Sequence, residues 1–116
     1  MKLLLDHNLP KRIRASLSGH IAMTTRQMGW EKLGNGALLK MAASANFDAF
    51  LSIDKNIRHQ QNLATLPLPV VVLDSSSNAL PDSLLFVPGL LAVLGGTLDR
   101  AVYVIARDGQ VIRFST

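Results

Sequence analysis

The sequence predicts an α/β domain with a mostly parallel sheet, and three observations predict it. Short apolar runs alternate with stretches of helical spacing along most of the chain. Several of those runs, such as Leu3-Leu4-Leu5 and Val70-Val71-Val72-Leu73, have no polar side, as strands buried on both faces require. Near the end, Asp108-Gly109 stands between two β-prone runs and signals a hairpin. Strands alternating with helices place helices on both faces of the sheet. No linker, repeat or low-complexity tract divides residues 1–116, which read as one domain.

The first strand covers residues 2–5 and runs into Asp6. Asn8 suits a helix cap and Pro10 the first turn, where a missing N–H costs nothing. Leu9, Ile13 and Leu17 recur every four residues as one apolar stripe, with Lys11, Arg12 and Arg14 facing elsewhere, until Gly19 ends the helix. Residues 21–25 read as a second strand and 26–36 as a loop punctuated by Gly29, Gly34 and Gly36. Asn35 is expected to cap a helix over 37–45, which Asn46 closes. A third strand over 47–53 runs into Asp54. Residues 55–63 form either a short helix or an irregular turn. The strand over 69–73 ends at Asp74, and an apolar helix over 82–95 is expected to break or bend near Pro88-Gly89.

Composition narrows the function classes. The chain has 116 residues, is 48% hydrophobic and 17% charged, and has no cysteine. It is large and apolar enough to fold without a metal or disulfide staple. Thiolate metal sites and a cysteine nucleophile are excluded. Its apolar stretches stop well short of the roughly 20 residues of a membrane span, and the start has too short an apolar run for a signal peptide. A cytoplasmic protein is expected. The +4 net charge is uneven: residues 1–62 hold nine Lys/Arg against four acids. That half could attract phosphate backbones or simply be a solvated surface.

In open parallel sheets the functional crevice lies outside the carboxyl ends of the strands. Asp6, Asp54 and Asp74 each follow a strand, and neighbouring strands would bring them to one rim. Packed carboxylates repel, and a hard divalent cation such as Mg²⁺ or Mn²⁺ is their natural partner. Asn8, Asn35, Asn56, Gln60 and Gln61 could position water there. Each aspartate also has a local alternative, as a cap or turn former. His7, His20 and His59 lack metal-ligand spacing, and Ser16, Ser18 and Ser52 lack an elbow motif.

Several segments together resemble the small bacterial PIN-like domain family, predicted nucleases often considered toxins of toxin–antitoxin pairs. The matching pieces are Leu4-Leu5-Asp6-His7-Asn8-Leu9-Pro10, Gly29-Trp30, Gly34-Asn35-Gly36-Ala37-Leu38-Leu39 and Phe47-Asp48. Ser52-Ile53-Asp54-Lys55-Asn56-Ile57 leading into His59-Gln60-Gln61-Asn62-Leu63, then Val70-Val71-Val72-Leu73, complete the match over about residues 1–95. The resemblance implies a three-layer α/β/α sandwich, to which the C-terminal β-hairpin read from Asp108-Gly109 is added. It implies that Asp6 and Asp54 hold Mg²⁺ or Mn²⁺, with Ser52 in support, for cleavage of RNA by a metal-activated water. Asn8, Asn35, Asn56 and Gln61 would orient water or substrate, and Lys11, Arg12, Lys55 and Arg58 would hold phosphates. Partners on this reading are RNA, a cognate antitoxin protein and, as a homodimer, a second copy.

One position departs from the family pattern. Where an acidic residue usually opens the helix after the second strand, the chain reads Asn35-Gly36-Ala37, and its only glutamate, Glu31, lies earlier. Asp74 or Asp82 would have to complete an acidic cluster. Two readings follow: a metal-dependent ribonuclease, or a catalytically silent PIN-like domain that binds RNA or protein. A phosphoacceptor domain, the third class with strand-end aspartates, would need a second acid beside Asp6 and a switch lysine.

Overall fold

The computed structural model describes residues 1–116. Six short strands form one sheet: β1 (Lys2–Leu5), β2 (Ile21–Thr24), β3 (Ala49–Ser52), β4 (Val70–Leu73), β5 (Val102–Ile105) and β6 (Val111–Phe114). Their order is β2-β1-β3-β4-β5-β6, parallel except for the β5–β6 hairpin. The four central strands, β1, β3, β4 and β5, are apolar because helices cover both sides, whereas the edge strands β2 and β6 are more exposed. On one face a 3₁₀ helix (Lys11–Ser16), α3 (Leu80–Leu84) and α4 (Val87–Leu94) pack through Ile13, Phe86, Leu90 and Leu94 onto Leu3, Leu5, Leu51 and Val71. On the other, α1 (Asn35–Ser44) and α2 (Ile57–Gln60) pack through Leu38, Leu39, Ala42 and Ile57 near Leu4, Phe50, Val70 and Val72. The β-mostly-parallel sheet with two helical faces matches the predicted class. No helix is long and apolar enough to cross a membrane.

Phe50 is fully buried in the second cluster. Phe50→Ala should therefore cost about 3–5 kcal/mol, read as a lower denaturant midpoint with little change in slope.

Three local expectations are corrected. The Leu9/Ile13/Leu17 stripe is buried as predicted, but its helix is 3₁₀, with Pro10 rather than Asn8 at the cap position and no side-chain cap. Asn8 is engaged elsewhere: its amide reaches β3. Second, Gly34 and not Asn35 precedes α1, and Asn35 is its first helical residue. Third, the break in the apolar segment falls at Leu85–Phe86, and Pro88 sits in the first turn of α4, where it is tolerated. Gly89 has a packing role instead. A Cβ there would lie 3.1 Å from Ile105 Cγ2, so its absence lets α4 approach β5 closely. Residues 55–63 resolve into both options, α2 followed by turns. Asn46 closes α1 with φ 65°, the left-handed geometry that asparagine tolerates.

Candidate functional site

The chain leaves β1 toward β2 and returns across it to β3, so the winding direction reverses between β1 and β3. At such a switch point the connections diverge and leave a crevice above the strand ends. Asp6 follows β1 there and Ser52 ends β3. Leu5 pairs with Leu51, and the ladder continues one step further, with Asp6 N donating to Leu51 O at 2.9 Å. Asp6 and Ser52 thus stand side by side on the same face.

Ser52 is fully buried and its hydroxyl is saturated. It donates to Asp6 Oδ2 at 2.8 Å and accepts from Asn8 Nδ2 at 3.2 Å and from Asp54 N at 3.0 Å. One O–H and two lone pairs are all a serine has. Asp6, only 3% exposed, accepts at its other oxygen from His7 N at 2.8 Å, and His7 Nδ1 lies 2.9 Å from the same atom. A buried carboxylate is expensive unless its oxygens meet donors, and here both do. The Asp54 carboxylate turns into its own loop, accepting from Asn56 N at 3.0 Å. Asp6, Asn8, Ser52 and Asp54 therefore form one hydrogen-bonded knot with Ser52 at its centre.

A cleft of about 480 Å³ opens beside Asp6 on the β2 side, lined by Asp6, His7, Lys11, Thr25, Arg26 and Glu31 among others. Leu9 is its only hydrophobic wall residue. Ion pairs occur only at His7–Asp6, Lys55–Asp74 and Arg113–Asp99, so Lys11, Arg26 and Glu31 face the cleft without charged partners. Comparison of the chain with known protein families, curated proteins and solved structures gives no match. The site therefore rests on its own geometry.

The other predicted residues are dispersed. Asp74 is exposed and pairs with Lys55 at 2.8 Å, in a separate depression of about 150 Å³ that also holds Asp82 and Arg107. Arg12 lies in a groove between the 3₁₀ helix and α3, beside Leu80 and Leu84. The Arg58 guanidinium stacks 4.1 Å from the Phe114 ring centroid. Asn35 opens α1, Asn56 precedes α2, and Gln61 Oε1 lies 3.9 Å from where a Cβ on Gly36 would sit. None of these residues lines the Asp6 cleft.

Glu31, Thr25 and Arg26 were missed as site residues by sequence reasoning. A signal existed for two of them: Glu31 is the chain's only glutamate, and Thr25 follows β2 as Asp6 follows β1.

No three His, Cys, Asp or Glu side chains gather as a metal group. A water-rich Mg²⁺ or Mn²⁺ asks for less, one or two carboxylates with the remaining positions taken by water or phosphate. Asp6 and Glu31 line one cleft, and a carboxylate has about four acceptor positions, more than Asp6 uses here. Glu31 does not gather with Asp6 and His7 into one group, so the acceptor positions open to such an ion are those of Asp6.

Proposed function

We propose that this chain is a PIN-like, metal-assisted ribonuclease of the cytoplasm, of the kind paired as toxin with an antitoxin protein. One observation carries the reading: a buried carboxylate at the switch point, fixed from both sides, opens onto a polar cleft with unpaired cations. Asp6 would hold Mg²⁺ or Mn²⁺ with water or substrate phosphate completing its shell, and the ion would supply an activated water and neutralise phosphate charge. The chain's own residues do the rest. Ser52 and the His7 backbone N–H lock the Asp6 rotamer, and the Asn8 amide and the Asp54 backbone N–H anchor Ser52. Lys11 and Arg26 attract the phosphate backbone into the cleft. The exposed His7 ring is within reach to carry a proton at the cleft mouth.

The test is cleavage of single-stranded RNA with and without Mg²⁺ or Mn²⁺, together with RNA affinity across a salt series. Cleavage should require the divalent ion and stop on chelation. Lys11→Met and Arg26→Met should each reduce the slope of log affinity against log salt by about one. Lys55→Met and Arg58→Met should change it less, because Asp74 and Phe114 already hold those cations. RNA that is bound at low salt but never cut would replace the enzyme with the second reading, a silent RNA- or protein-binding domain. The absence of a third acidic side chain at the site favours that alternative. Indifference of affinity to salt and to Lys11 would remove the enzyme and RNA binding through this cleft alike.

A further inference from the structure

The ladder that sets Asp6 beside Ser52 also runs the other way. Leu5 pairs with Thr24, and Thr25 N donates to Leu5 O at 3.0 Å, so Thr25, Asp6 and Ser52 form a row across β2, β1 and β3. The two hydroxyls flanking Asp6 differ in one respect. Ser52 has every hydrogen-bonding position filled, whereas Thr25, 1% exposed, has a buried Oγ1 with no partner at all. Buried hydroxyls are nearly always satisfied, and of the two exceptions in this chain, Thr25 and Ser83, it is Thr25 that stands in the row with Asp6. Thr25 lines the Asp6 cleft, so a ligand there meets the one residue of the lining whose hydroxyl is buried and unpartnered.

The charge around Thr25 indicates what that ligand is. Lys11 and Arg26 are unpaired and line the cleft with it. Both continue into an adjoining depression of about 290 Å³ lined also by Arg14, Thr24 and Gln27, with no acidic or hydrophobic residue. Arg14 is held in place there, donating to Gln27 Oε1 at 2.9 Å. Asp6 and Glu31 line only the first of the two depressions, and the second carries three cations and no acid. A hydroxyl donor with a lysine and a planar guanidinium matches the oxygens of a phosphate group.

We propose that Thr25, Lys11 and Arg26 form an oxyanion subsite beside Asp6 that takes a phosphate group, with Arg14 receiving a second charge further out. Assigning that phosphate to a polynucleotide rests on the ribonuclease reading; the oxyanion chemistry does not. The experiment is calorimetric titration of the whole chain, at low salt and without divalent ions, so that it is independent of cleavage. The probes are inorganic phosphate and a short single-stranded RNA carrying or lacking a 5′-phosphate. Thr25→Val should weaken binding about tenfold or more, and Thr25→Ser should retain it. Because Thr25→Val removes a buried hydroxyl that has no partner, its melting temperature should not fall, which separates lost recognition from lost structure. If only the 5′-phosphorylated RNA loses affinity in Thr25→Val, the subsite takes a terminal phosphate. If both RNAs lose it equally, the subsite takes an internal one. Wild-type phosphate and RNA affinity in a folded Thr25→Val, or no binding of any probe by the wild type, would overturn the subsite. A chain that binds phosphate through Thr25 yet cuts no RNA would keep the subsite and remove the hydrolase.

Discussion

Asp6→Asn is expected to lower RNA cleavage by at least about 100-fold, the scale on which a metal ligand or its support acts. It should also destabilise the chain, although asparagine has nearly the shape of aspartate. The reason is donor counting. With the amide oxygen toward His7 N, the new NH₂ faces Ser52 Oγ, whose lone pairs already receive Asn8 Nδ2 and Asp54 N. With the amide reversed, NH₂ faces the His7 N–H instead. Either orientation sets donor against donor, worth about 1–3 kcal/mol. Cleavage measured below the melting temperature of the variant separates the two effects. A folded Asp6→Asn that cuts RNA at the wild-type rate would take Asp6 out of the reacting centre.

Ser52→Ala should give the largest stability loss of any polar substitution in the chain. Removing this hydroxyl takes the acceptor from Asn8 and Asp54 N, and leaves Asp6 Oδ2 buried without its donor. At about 1–3 kcal/mol for a buried group left unsatisfied, partly relieved by water at the half-buried members, the loss is about 2–4 kcal/mol. For a domain of this size that is a fall in melting temperature of roughly 10 °C or more. Ser83→Ala provides the contrast. Ser83 is equally buried, but its hydroxyl has no partner and it sits in helix α3, so alanine there should be neutral or stabilising. Thermal melts that show equal losses for the two serines would mean that the Ser52 knot contributes nothing beyond the burial of a small side chain.

Much of the fold was legible in one dimension because it depends on near-neighbour patterns. Uniformly apolar runs specify strands buried on both faces, Asp108-Gly109 specifies a hairpin, and Leu9, Ile13 and Leu17 specify a buried stripe whatever the helix type. Asp6 could be proposed for the same reason, since a residue directly after a strand must lie at the sheet's carboxyl edge, whereas Ser52 entered only through the family resemblance. The 3₁₀ geometry after β1 was not legible. It reflects Asn8 leaving the cap position to bond Ser52, 44 residues away, a partner that no local window contains. The break at Leu85–Phe86 and the use of Gly89 likewise depend on how closely α4 meets β5. Above all, strand order decided which polar residues share a cleft. Placing β2 outside β1 brings Thr25, Arg26 and Glu31 to Asp6, while β4, on the far side of β3, carries Asp74 off to pair with Lys55. Local periodicity sets what each segment becomes, but which segments are neighbours is a property of the packed sheet.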